Sequence, residues 1–99
     1  MTAVEHDAQE SGRRLRGLMH TTVDGIRYGI DADGTVTAPD ADGRPDTLVL
    51  GWTRRRTGRL WTLQPFDRTG RPRGVELASG TRRGAIRLLV AEAERAVSS

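Results

Sequence analysis

The sequence predicts an α+β domain: an antiparallel meander of about five strands packed in two layers against one C-terminal amphipathic helix. Three observations carry this. Apolar residues alternate with polar ones in short runs between residues 19 and 77, the period of half-buried strands. Glycine-bearing turn signals separate those runs at close spacing. From Thr81 the period changes, and Ile86, Leu89, Val90, Ala93 and Val97 fall at i, i+3, i+4, i+7 and i+11, one helical stripe.

Ninety-nine residues make one modest core. Residues 1–17 read as a mobile N-terminal tail without apolar periodicity, with the basic cluster Arg13-Arg14-Leu15-Arg16 leading into the first strand. Residues 18–99 form a single domain. Met19 to Val23 is the first strand, and Asp24-Gly25 is a strong two-residue hairpin signal. Ile26, Tyr28 and Ile30 alternate with Arg27 and Gly29, so the second strand buries one face. Asp31-Ala32-Asp33-Gly34 turns the chain into a short strand, Thr35-Val36-Thr37. A loop over 38–46 follows, holding a second Asp-Ala-Asp-Gly, residues 40–43. Neither copy has the downstream acid that a calcium-binding loop of the EF-hand kind needs, so both are read as turns.

The chain is organised around Gly51 to Pro65, which holds both tryptophans. Leu48, Leu50 and Trp52 are expected on one face of the incoming strand, and Trp61 and Leu63 on one face of the outgoing strand. Between them lies a turn carrying Arg54, Arg55, Arg56 and Arg59, with Thr57-Gly58 supplying the positive φ. Val75-Glu76-Leu77 is expected as the last strand, Val75 and Leu77 facing inward. Ser79 or Thr81 is the candidate helix N-cap. One sheet face has no second helix to cover it, so it is either polar or partner-bound. The sequence leaves open which face each tryptophan takes.

All sixteen basic residues besides the two histidines are arginines. Their planar forks suit phosphate and carboxylate. Residues 1–50 carry five arginines against nine acids, net −4, while residues 51–99 carry eleven against four, net +7. That asymmetry points to a polyanionic partner for the second half, unless the acids neutralise the arginines in the fold. The absence of cysteine excludes disulfides and thiolate metal sites. No apolar run is long enough to span a membrane and no signal peptide is evident, so a cytoplasmic protein is expected. Catalysis finds no support: His6 lies in the tail, His20 reads as a strand-surface residue, and no serine sits in a nucleophile motif. A non-enzymatic protein without cofactor or metal is expected.

Polyanion binding draws on the hairpin arginines, on Arg71 and Arg73 in the loop after Phe66, and on Arg82 and Arg83 at the helix start. Cations there oppose the helix dipole, and a bound phosphate would reverse that misfit. Over residues 47–97, Gly58-Arg59-Leu60-Trp61-Thr62-Leu63, Gly70, Gly74-Val75-Glu76-Leu77 and Thr81…Ala85-Ile86 resemble the strand–strand–strand–helix layout of AP2-type and integrase arm-binding domains. The resemblance implies duplex DNA read by the exposed sheet face, with arginines on phosphates and base edges. The acidic first half is not part of that pattern. The sequence therefore points to a small nucleic-acid-binding protein of regulatory or mobile-element kind, using Arg54, Arg55, Arg56, Arg59, Arg71, Arg73, Arg82 and Arg83. The alternative is a protein-interaction module or homodimer that pairs through an edge strand or the uncovered face.

Overall fold

The computed structural model describes residues 18–98; the tail 1–17, with its arginine cluster, lies outside the described residues. Six antiparallel strands follow one another in sheet order as in sequence: β1 (Met19–Val23), β2 (Ile26–Ile30), β3 (Thr35–Ala38), β4 (Leu48–Thr57), β5 (Leu60–Pro65) and β6 (Leu77–Ser79). Among the described residues one helix, α1 (Arg82–Ser98), follows the sheet. It packs chiefly on β5 and β4, and it also reaches β6 and β1. The two-layer meander is as expected, with six strands rather than about five.

Local chemistry sets the turns. Asp24 and Gly25 both take positive φ, 53° and 83°, the requirement of a two-residue turn whose twist matches its strands. The turns at Asp31 and Asp40 share a further device. Oδ1 of Asp31 accepts the N–H groups of Asp33 and Thr35, and Oδ1 of Asp40 accepts those of Asp42 and Arg44, all at 2.9 Å. Asp67-Arg68-Thr69-Gly70 repeats the arrangement, its Oδ1 accepting from the backbone of Thr69 and Arg71. These carboxylates shape loops (Asx turns), which accounts for the repeated motif without a cation.

Two register shifts overturn details of the expected central hairpin. Val36 pairs with Gly51 but Thr37 pairs with Val49, so Leu50 is an extra residue in β4. The bulge reverses the alternation beyond it. Leu50 is buried in the core, whereas Trp52, paired with Thr35 and Gln64, turns to the opposite face. Leu48, Leu50 and Trp52 thus do not form one row. Near the tip, Arg54 pairs with Thr62 and Arg55 with Trp61, while Arg56 is the extra residue before Thr57 pairs with Leu60. Arg54, Arg55 and Arg56 therefore belong to β4 and not to a turn. The loop itself is Gly58-Arg59, opened by Gly58 at φ 52°.

The last strand starts later than expected. Nε2 of Gln64 donates to the carbonyls of Pro65 and Arg73 at 3.1 Å, and Gly74 at φ 71° redirects the chain. Pairing resumes only at Leu77 opposite Leu63. Val75 is left 74% exposed instead of facing inward.

The core lies between the sheet and α1. Val23, Tyr28, Ile30, Val36, Leu50 and Leu63 come from the sheet, Ala85, Ile86 and Leu89 from the helix. Ala93 and Val90 flank it half-buried, as their places in the stripe require; the side chain of Val97 lies outside the described residues. Thr81 is the N-cap, its Oγ1 accepting the Gly84 N–H at 2.9 Å.

A bidentate pair ties the first turn to the helix: Arg87 donates from Nε and Nη2 to the two oxygens of Asp24, both at 3.1 Å. These hydrogen bonds hold the Asp24 carboxyl below its ordinary 3.8. A carboxylate with a depressed folded-state pKa contributes stability above the unfolded value and loses it as pH falls through the folded value. The melting temperature should therefore drop as pH is lowered below about 4, and less steeply in Asp24→Asn than in the wild type. Equal slopes in the two proteins would remove this pair from the acid response.

Candidate functional site

Strand direction sorts the predicted arginines into two groups. The β4–β5 tip, the β2–β3 turn, the start of β1, the end of β6 and the start of α1 share one end of the sheet. Arg54, Arg55, Arg56, Arg59, Arg82 and Arg83 all belong to that end. Arg71 and Arg73 follow β5 and so sit at the other end. Arg73 is also engaged, donating from Nη2 to the Glu92 carbonyl at 2.8 Å and to its carboxylate at 3.4 Å. The sheet thus does not bring the loop after Phe66 to the hairpin tip, because the six residues of β5 intervene.

The ion pairs decide whether the acidic first half shields the arginines. Asp24 takes Arg87, Glu92 takes Arg73 and Arg95, and Asp46 takes His20. Among the described residues, no carboxylate pairs with any of the six arginines at the tip end. Arg83 does add to the field that depresses the Asp24 pKa. Arg54 to Arg56 and Arg59 are exposed, so among the described residues this end presents more arginines than acids, with only Asp31 and Asp33 of the β2–β3 turn beside them.

Both tryptophans hold an arginine. The Arg54 guanidinium lies 4.2 Å from the Trp52 ring centroid on the uncovered face. That of Arg82 lies 4.5 Å from the Trp61 ring on the helix side. Cation–π contact stabilises each by about 0.5–1 kcal/mol and limits where the guanidinium swings. Arg55 is fixed differently, its Nε donating to the Gly58 carbonyl at 2.8 Å, which leaves its terminal nitrogens for a ligand. The stack on Trp61 also gives Arg82 a favourable contact in a first turn that contains no acid.

The uncovered face is largely polar. Pairing places Thr22, Arg27, Thr35, Thr37, Thr62 and Gln64 there with Trp52 and Arg54. Threonine's branched Cβ suits a pleated surface while its hydroxyl stays wet. Toward the β1 edge of this face His20 Nε2 meets Asp46 at 3.0 Å, and Thr37 Oγ1 donates to the same carboxylate at 3.2 Å. Asp46 holds φ 57°, and Gly29 leaves the space that its carboxylate fills. His20, expected as a plain surface residue, thus clasps the β3–β4 loop to β1. Nothing adjacent in sequence signals the pairing, because the partners are 26 residues apart.

On the helix side of the tip end lies a cleft of about 460 Å³, lined by Met19, Ile30, Asp33, Arg55, Trp61 and Arg82 among others. Thr53 lies in its lining, and this residue is 2% exposed. Its Oγ1 has no hydrogen-bond partner, nor does the buried Nε of Arg82. Sequence reasoning missed Thr53, which reads as an ordinary strand residue between Trp52 and Arg54. Among the described residues no group of acids and histidines is arranged to hold a metal ion, and no helix is long and apolar enough to cross a membrane. No protein-family model matches the chain, and neither a curated protein nor a solved structure does so.

Proposed function

We propose that this is a small non-enzymatic nucleic-acid-binding protein whose interface is the arginine-rich end of the sheet. The observation that carries the reading is the convergence there of Arg54, Arg55, Arg56, Arg59, Arg82 and Arg83, none in an ion pair with a described residue. Phosphate is the anion that an array of exposed guanidinium forks fits best in a polymer. Arg71, on the other end, contributes only to the general field. The uncovered face beside the tip supplies threonine hydroxyls, and the Arg54 guanidinium held over Trp52, for base edges. Duplex DNA is the proposed ligand, the tip entering a groove as a two-stranded ribbon. The order β4, β5, β6, α1 matches the layout of the domains that residues 47–97 resemble, which supports the same face as the reading surface.

The test is binding of a short random-sequence duplex at about 50 and about 200 mM salt. Affinity that falls steeply with salt supports the interface. No binding at the lower salt overturns it and transfers the reading to a homodimer or interaction module. That alternative rests on β1 and β6 being the edge strands among the described residues, and its signature is a melting temperature that rises with protein concentration.

A further inference from the structure

The cleft beside the hairpin tip contains groups that the folded chain leaves unanswered. A hydroxyl with no partner in a residue 2% exposed is costly. The chain could have avoided it with valine, which has the same shape. Beside it in the lining stand Arg82, with its own buried and unpartnered Nε, and Arg55, anchored at Gly58 with free terminal nitrogens. Thr53 Oγ–H, Arg82 Nε–H and the Arg55 fork are all donors. Both unpartnered atoms are closed to solvent in this structure, so an oxyanion answers them together only as the lining side chains part, and the N-terminal end of α1 adds to its attraction.

The rest of the lining describes what the oxyanion is attached to. Met19 (53% exposed), Ile30 and Trp61 form an apolar wall. Asp33 stands on the rim, and its carboxylate is unengaged by any described residue, unlike that of Asp31, which organises its own turn. An acid at the rim is unfavourable to a bare phosphate, but it accepts hydrogen bonds from a base or sugar. The volume lies within the range of small-molecule sites.

We infer that the cleft binds one nucleotide, its phosphate on Arg55, Arg82 and the Thr53 hydroxyl and its base against Met19 and Ile30. This rests on the nucleic-acid reading above and extends it from the backbone-contacting tip to a seat for a single unpaired residue. The chemistry is that of a nucleoside phosphate, and two sources supply it: a free nucleotide, or the unpaired nucleotide at a strand end.

Titration calorimetry with AMP, adenosine and inorganic phosphate addresses the ligand class. A blunt duplex compared with the same duplex carrying a short single-stranded overhang addresses the source. AMP should bind more tightly than either of its parts. Thr53→Val should weaken AMP by about tenfold or more, as expected for a lost bond to a charged group. The same variant should melt several degrees higher, because it removes an unsatisfied buried hydroxyl without changing shape. A merely structural threonine would not give gain in stability with loss of binding. Thr69→Ala, in the Asp67 turn at the other end of the sheet, should leave AMP binding unchanged. A preference for the overhang identifies the strand end as the source, and AMP binding with equal affinity for both duplexes identifies the free nucleotide. Salt-dependent duplex binding with no affinity for AMP and no overhang preference overturns the cleft and leaves the interface standing. AMP binding without duplex binding does the reverse.

Discussion

Gly51→Ala should lower the melting temperature by roughly 15–30 °C, a large effect for one added methyl group. Gly51 holds φ 150°, a conformation that L side chains adopt only under strain. A Cβ there would press on the backbone carbonyl of Gln64 and approach Leu89 Cδ2 at 2.9 Å. The carbonyl has no rotamer to change, since Gly51 sits opposite Pro65 in the β4–β5 ladder. Leu89 is wholly buried, so it has no free space either. Strain of about 1–3 kcal/mol therefore adds to overpacking of about 1–3 kcal/mol. A domain of this size has only about 5–10 kcal/mol in total. Gly58→Ala is the matched control: its φ is 52°, but nothing lies within 4 Å of the added atom. It should cost about 1 kcal/mol, a fall of about 4–8 °C. Circular-dichroism melts of the two variants settle the comparison, and near-equal shifts would mean that β4 does not pass beneath α1 as described.

The same glycine explains how far the sequence could be read. Asp24-Gly25 and the first two Asp-Ala-Asp-Gly turns were legible because their chemistry is local: the residue that takes positive φ or caps the loop lies within four positions. The helix was legible because its stripe runs unbroken through Ile86, Leu89 and Ala93. The bulge at Leu50 was not, although a glycine inside an alternating run is the available sign of one. Once alternation is interrupted there, Trp52 takes the face opposite to Leu50, and no count of period-2 matches across Gly51 assigns it correctly. Arg54 to Arg56 looked like a turn because they are polar, yet strand pairing with Thr62 and Trp61 is set by the partner and not by propensity. The third Asx turn, at Asp67, was hidden by its different middle residues. For the site, the arginines could be counted but not sorted. Only the direction of β5 separates Arg71 and Arg73 from the tip, and only topology brings Arg82 and Thr53 to one cleft.

Replacing Arg54, Arg55, Arg56 and Arg59 together by glutamine should cut duplex affinity at low salt by at least about two orders of magnitude and leave the fold intact. Each guanidinium on a phosphate contributes about 0.9 to the slope of log affinity against log salt. Four such contacts amount to a slope of about 3.6, a weakening of about a hundredfold between 50 and 200 mM salt. The variant should lose that share of the slope along with the affinity. Folding is spared because all four side chains are exposed and β4 is held through backbone pairing to β5. The contacts forfeited are the Arg54 stack on Trp52 and the Arg55 bond to Gly58, about 1 kcal/mol or less each. Glutamine keeps much of the stem that covers the Trp52 ring. Arg71→Gln is the counter-test, since β5 carries it to the far end of the sheet. It should change the slope by less than one contact. Should Arg71→Gln flatten the slope as much as a tip arginine does, the nucleic acid would run along the sheet rather than across its tip. Should the quadruple variant keep the wild-type slope, the phosphate contacts lie elsewhere and the interface assignment fails.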